Sequence, residues 1–373
     1  MMNAVGIIVE YNPFHNGHKY HIEKVKEMFP DRPIVLVLNG YFLERGDVSV
    51  MSKEEKCKIA LENGVDIVLE LPFVYGSQSA DTFADASICL LERLKVTDIV
   101  FGSETDNVKL LKKAADIQIN NKDYQDKVKN LINKGLNYPT ALAKGLDMKI
   151  NIFNPNDLLG ISYIKAIMNH GFDITPHTIK RTNDFNDTEM DEEIVSASNI
   201  RKRLKNGEDI SKYVPAKVDL AIGTINYEKL YELLKYKILT DDDLSKYVTV
   251  DEGIENRLIE GINKTDSLED LIEYVKTKRY TYNKIKRMLI HILIGFTKED
   301  NYNKNLDYIK VLGFTKNGKN YLNKFRKELK GTLGIKYDSI MYKYEMKAAH
   351  VYSMLSDEDI LEYEKRNKPI CID

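Results

Sequence analysis

Residues 12–18 read NPFHNGH, two histidines three residues apart around Gly17. Imidazole N–H groups donate hydrogen bonds to phosphate oxygens, more strongly when protonated. Glycine lets backbone come close to a ligand. If a helix starts here, its unpaired amides and positive end add to the pull on an anion. His15 and His18 are therefore candidates for gripping a triphosphate; the plainer alternative is that one caps a helix and the other packs. A second candidate lies in VSASNIRKRL, 195–204. Ser198 is expected as the N-cap of a helix running through Leu204. That puts Arg201 in the first turn, where its planar fork suits a phosphate bidentately. The alternative is a capped surface helix with a solvated basic face.

These residues need elements to hold them. The run AVGIIVEY, 4–11, has the length and branched content of a buried strand, and Asn12 and Pro13 end it. Helical spacing follows from Lys19 to Phe29, so NPFHNGH is a strand-to-helix turn. In an open α/β sheet such a turn lies at the carboxyl end of the strand, where ligands bind. Further strands are expected at 33–38, 66–71, 98–102 and 174–181, with helices at about 18–29, 52–63, 79–94 and 157–170. This alternation predicts an α/β fold with a parallel sheet covered on both faces. Residues 106–150 read as a polar helical insertion. After about 213 the alternation stops and long helical patterns follow, as at 227–239 and 268–280. The expected division is an α/β domain over 1–213 and an α-helical domain over 214–373.

The 373 residues are 43% hydrophobic and 30% charged, ordinary for a soluble globular protein. No apolar stretch is long enough to span a membrane. No basic-then-apolar leader opens the sequence, and Cys57, Cys89 and Cys371 are scattered without a CxxC. A reducing cytoplasm, no disulfide framework and no metal site are the expectations. The net charge of −2 hides an asymmetry: residues 1–200 carry 22 Lys/Arg against 29 Asp/Glu, residues 201–373 carry 33 against 28. Residues 276–330 concentrate the excess, with 15 Lys/Arg and 4 Asp/Glu. This stretch is either a solvated helical surface or a face for a polyanion such as nucleic acid.

Together the motifs resemble those of the nucleotidylyltransferase superfamily. NPFHNGH is similar to its HxGH motif. Val195, Ser196, Ala197, Ser198, Asn199, Ile200 and Arg201 follow its ISSTxIR motif, in the same order and setting. Members often have Asp where this chain has Asn12. Other stretches resemble the bacterial tRNA(Met) cytidine acetate ligases: NGYFLERGDVSVMSKEEK (39–56), LPFVYGSQSADTFADA (71–86), FGSETD (101–106), NPNDLLGISYIKA (154–166), HTIKR (177–181), KRYTYNKIKRMLIHILI (278–294) and YIKVLGFTKNGK (308–319). This likeness covers nearly the whole chain. Glu44 stands where Gln would be expected, and Asp47 where Glu would be.

The resemblance implies a Rossmann-like nucleotidylyltransferase domain that uses ATP with Mg²⁺. Acetate would become acetyl-adenylate, and the acetyl group would pass to N4 of the wobble cytidine of elongator tRNA(Met), without a covalent enzyme intermediate. His15, His18 and Arg201 would be catalytic. ATP contacts would run through Ile7, Ile8, Val9, Glu10, Tyr11, Asn12, Pro13, Phe14, His15, Asn16, Gly17, His18, Lys19 and Tyr20, with Gly102, Asn156, Arg181, Ser198 and Arg201. Gly102 is also readable as a turn glycine, Asn156 and Asp157 as helix caps, and Arg181 as a solvated strand end. The oligomeric state stays open.

The basic stretch then becomes a tRNA face, with Lys278, Arg279, Lys284, Lys286 and Arg287 as phosphate contacts. Tyr280, Tyr282, Tyr302, Tyr308 and Tyr321 are available for base stacking, or belong to the core. GFTKNGKN, 313–320, fits GxxxxGK, but Asn320 occupies the Ser/Thr position and the preceding NLDYIKVL reads as a helix end. His170, His291 and His350 are isolated in the sequence. Two rivals remain at this point: a small-molecule adenylyltransferase of cofactor synthesis, and a non-catalytic nucleotide-gated RNA-binding protein.

Overall fold

The computed structural model describes residues 3–146, 154–181, 194–356, 358–365 and 368–373. Five parallel strands form as the apolar runs require: β1 (Ala4–Val9), β2 (Ile34–Asn39), β3 (Ile67–Leu71), β4 (Val96–Ser103) and β5 (Thr175–Lys180). Every residue of β2 and β3 is buried, the signature of strands covered on both faces. The helices Asn16–Met28, Lys53–Glu62, Ala80–Arg93 and Pro155–His170 match their expected places within two or three residues. Within the insertion, three helices form at Val108–Asn120, Lys122–Asn133 and Tyr138–Gly145; residues 147–150 lie outside the described residues.

The sheet runs β5-β4-β1-β2-β3 and then continues with two strands from the second half of the chain, β6 (Val311–Thr315) and β7 (Ile370–Ile372). β6 is antiparallel to β3. The sequence reading gives no strand beyond 181, so this is a correction: residues 214–373 are helical for a long stretch and then complete the sheet. VLGFT is short and contains Gly313, a weak strand signal. Gly313 is required there because an added Cβ would lie 2.7 Å from Leu61 and 2.8 Å from Cys57. The helix end expected before GFTKNGKN is in fact this strand. The helix Lys316–Lys324 follows directly from its cap Thr315, with no Gly-rich phosphate loop between.

The second half docks through loops of the first. Tyr41, Phe42, Val48, Phe73 and Val74 are buried in the same apolar cluster as Leu289, Phe296, Tyr344 and Tyr352 of the helical region. Beneath it lies a buried charge network. Lys53 Nζ is 2.5 Å from Glu70, 2.6 Å from Glu345 and 2.8 Å from Glu364, and Lys310 pairs with Glu70 and Glu364. These five residues come from both halves of the chain. Burial acts to raise Glu364, but Lys53 and Lys310 overcome it and hold that carboxyl below its ordinary range.

Candidate active site

β1 lies between β4 and β2, and the chain leaves it on one side and returns on the other. This is a topological switch point, where a crevice opens at the carboxyl ends of the strands. Tyr11 takes a positive φ of 50° and the Asn12–Pro13 peptide is cis. His15 then caps the helix Asn16–Met28: its Nδ1 accepts from Gly17 N at 3.1 Å. His18 Nδ1 accepts from His15 N at 3.2 Å, completing a capping box made of two imidazoles. Since both Nδ1 atoms are acceptors, each neutral ring carries its proton on Nε2. The rings stack with centroids 3.7 Å apart.

Burial, with Arg181 and Arg201 adding to it, holds His15 down at about 3. Burial, then His15, His21 and Arg181, keeps His18 well below its ordinary value. The pair therefore offers neutral Nε2–H donors to the cavity it lines, not the imidazolium groups that would bind most strongly. His15 fulfils the capping alternative and faces the cavity as well. Gly17 protects this arrangement, because a Cβ there would meet the His15 ring at 2.9 Å.

In the second motif the cap is Ser196, whose side chain accepts from Asn199 N at 3.2 Å, and not Ser198. Capping at Ser196 places buried Val195 and Ile200 as a hydrophobic staple across the helix start. Ser198 becomes the second residue of the helix Ala197–Lys205 and lines the cavity. Arg201 moves to the second turn. Its Nη1 donates to Asn12 O at 2.8 Å, and its Nη2 lies 4.0 Å from Asp47 Oδ2.

These side chains share one cavity of about 960 Å³. From the first turn Ile8, Val9, Glu10, Tyr11, Asn12, His15, Gly17, His18 and Tyr20 line it; Ile7, Pro13, Phe14, Asn16 and Lys19 do not. Ile7 and Phe14 are core, and Asn16 instead bonds to Lys212 O and Tyr213 O. Asn12 Oδ1 accepts from Val50 N at 2.9 Å and so anchors the loop after β2. Gly102, Asn156 and Arg181 all line the cavity. Gly102 is inside β4, paired with Ile179, and is not a turn glycine. Asn154 caps the helix Pro155–His170, so Asn156 is free of that role and donates to Glu104 Oε1 at 2.6 Å.

The basic stretch does not form one face. Arg279, Lys284 and Arg287 line the same cavity as the histidines. Arg287 Nη1 donates to Glu44 O at 3.1 Å and lies 3.4 Å from Glu44 Oε1. Lys286 pairs with Asp47, and Lys284 Nζ lies 3.8 Å over the Tyr280 ring. Arg279 pairs with Glu252, and Lys278 is exposed. The exposed cations of 316–330 lie elsewhere, since Gly318 packs on Asp66 at the amino end of β3. The five residues of β3 separate the two ends of the sheet by about 16 Å. Tyr280, Tyr308 and Tyr321 are core, which leaves only Tyr282 and Tyr302 of the five exposed.

Several lining residues escaped the sequence reading. His21 was readable as the next turn of the face that carries His15 and His18. Glu44, Tyr163 and His291 stand in stretches that carry the family resemblance, but only the fold brings them to the cavity. His291 is buried with Nε2 2.7 Å from Ser77 O and Nδ1 2.9 Å from Thr249 Oγ1. His170 lies 2.7 Å from Asp85 Oδ1, with Cys89 close by, away from the cavity. No helix among the described residues is long and apolar enough to cross a membrane.

Residues 2–367 match the family model described as HIGH Nucleotidyl Transferase. The tRNA(Met) cytidine acetate ligase of Geobacillus sp. (strain WCH70) is 36% identical, over 99% of this chain and 100% of that protein. The same-named protein of Bacillus subtilis (strain 168) is 35% identical, over 96% of this chain and 94% of its own. Crystal structures of Thermotoga maritima TmcAL superimpose over 100% of both chains. The apo form gives a TM-score of 0.90 at 30% identity, and the form bound with alpha-thio ATP gives 0.87 at 29%.

Proposed function

As a member of the tRNA(Met) cytidine acetate ligases within the HIGH nucleotidyl transferases, the chain is, we propose, an enzyme that uses ATP to activate acetate and acetylates N4 of the wobble cytidine of elongator tRNA(Met). The observation that carries this is the pair of neutral Nε2–H donors at a helix start, under Arg201, at the switch point of the sheet. ATP enters as its Mg²⁺ complex, the ion travelling with the phosphates. His15, His18, Arg181 and Arg201 hold the triphosphate. An acetate oxygen attacks the α-phosphorus and pyrophosphate leaves. The protein's contribution is to stabilise charge on the phosphates and to position the carboxylate. The cytosine amine then attacks the acyl carbon and AMP departs. The tRNA lies over residues of the second half, with Lys278 and Arg279 against its backbone. Residues 1–213 supply most of the nucleotide pocket, and 214–373 supply the tRNA-facing wall. The scattered free cysteines support a cytoplasmic location.

The test is pyrophosphate exchange into ATP, with and without acetate. Exchange that requires acetate supports the proposal; exchange indifferent to acetate, or none at all, refutes it.

A further inference from the structure

The helices Ala80–Arg93 and Pro155–His170 lie side by side. Near the start of their seam, Asp81 accepts from Ser162 Oγ at 2.7 Å and pairs with Lys165 at 2.7 Å, and these three residues line the cavity. Residues four apart share a helix face, so Asp81, Asp85 and Cys89 make one stripe along the first helix. The second helix ends beside that stripe on His170. Cys89 stands about 12 Å along the helix from Asp81. Asp85, Cys89 and His170 are not part of the cavity wall.

The three side chains converge. His170 Nε2 is 2.7 Å from Asp85 Oδ1 and 3.7 Å from Cys89 Sγ. The nitrogen, the carboxylate oxygen and the sulfur all lie within 4.8 Å of one another. Phe172 stacks on the imidazole, with centroids 4.8 Å and planes 9° apart, and so fixes the ring's direction. Asp85 is 51% exposed and His170 38%, which leaves the cluster open to ions from solvent.

We propose that Asp85, Cys89 and His170 form a metal site that takes a zinc ion, separate from the nucleotide cavity and independent of the reaction proposed above. Thiolate, imidazole and carboxylate are the ligand types of zinc, whereas magnesium and calcium take oxygen. With Zn–S of about 2.3 Å and Zn–N of about 2.05 Å, two tetrahedral ligands are about 3.6 Å apart. The separation of Cys89 Sγ and His170 Nε2 is 3.7 Å. The carboxylate stands at hydrogen-bond distance and must retreat to about 3.3 Å, which rotation of the exposed Asp85 side chain provides. Water completes the tetrahedron. As the Zn–S bond forms, the Cys89 proton goes to solvent. The other chemistry open to Cys, His and Asp is a nucleophilic triad, which needs the carboxylate on one ring nitrogen and the thiol on the other. Here both face Nε2, as ligands around a single ion do. No CxxC spacing signals this site, because His170 is 81 residues from Cys89.

The experiment uses the untagged chain, stripped of metal with a chelator and free of nucleotide. It is titrated with Zn²⁺ against a chromophoric competitor, and with Co²⁺ in the spectrophotometer. One ion per chain is expected, with a near-ultraviolet thiolate-to-cobalt band. Cys89→Ser should abolish that band although the exposed thiol of Cys371 remains. Cys89→Ser and His170→Gln should each weaken zinc binding by more than about 100-fold, beyond the loss that removing an outer hydrogen-bond partner causes. Zinc should raise the thermal midpoint of the unsubstituted chain and of neither variant. A cobalt band that persists in Cys89→Ser, or zinc bound equally by all three proteins, would overturn the site. So would an unsubstituted chain that binds no zinc until the ion is in large excess, a result that decides the matter even if a variant fails to fold. Each of these outcomes would leave an ion pair beside a bystander thiol.

Discussion

At the scale of the residue, the role proposed for the two histidines turns on which nitrogen carries the proton. Each Nδ1 is occupied by a backbone N–H, so each ring presents Nε2–H without needing to be charged. Replacing His15 or His18 with Ala removes one preorganised donor, which typically costs about 10²–10³ in rate. Acetate-dependent exchange should fall by that much while the circular dichroism spectrum stays native; undiminished exchange in both variants would return these rings to mere capping and packing. Their residue types and spacing were legible in the sequence, but the tautomer was not, since it depends on backbone geometry. His291 gives a separate test. Burial pushes it down to about 4, with Arg287 and Lys304 adding to that, although the carbonyls of Ser77 and Val248 favour the charged form. The unfolded chain takes up this proton near 6.5 and the folded chain does not, so stability falls as pH drops from 6.5 toward 4. Each such group contributes about 1.4 kcal/mol per pH unit to that slope. Urea midpoints between pH 7.5 and 4.5 should fall less steeply in His291→Gln than in the unsubstituted chain; equal slopes would contradict the assignment.

At the scale of the element, strands and helices whose apolar runs face a core on both sides were legible to within a few residues. What failed was whatever a distant segment decides. Ser196 and Ser198 are equally good caps locally, and only the burial of Val195 and Ile200 chooses between them. β6 is recognisable as a strand only because β3 offers it an edge. The hairpin after β2 is likewise fixed by the helix Tyr282–Ile294. Gly46→Ala meets both a left-handed φ and the Arg287 backbone, so it should destabilise the chain by at least about 1 kcal/mol. A lowered thermal midpoint is expected; an unchanged midpoint would mean that the hairpin tip is not pressed on that helix.

At the scale of the whole molecule, the charge pattern of 276–330 suggested one nucleic-acid face, and folding divides it. Its first part, through Arg287, reaches the cavity, while its last part covers the opposite end of the sheet. Sequence density of charge cannot reveal this, because strand β6 turns the chain around in between. The two halves are joined by the buried lysine–glutamate network. Lys53→Met leaves Glu70, Glu345 and Glu364 with only Lys310 among the network's cations, and losing one partner of such a set costs about 3–5 kcal/mol. Urea denaturation should show that loss, and a shift under about 1 kcal/mol would mean the network is not what holds the halves together.

The central claim is that this cavity passes acetate to a tRNA cytidine. The direct measurement is mass analysis of nucleosides from total tRNA incubated with the purified chain, ATP and isotopically labelled acetate. The expected result is labelled N4-acetylcytidine that requires ATP and comes from elongator tRNA(Met). Label absent from cytidine, in a sample that still exchanges pyrophosphate with acetate, would contradict it.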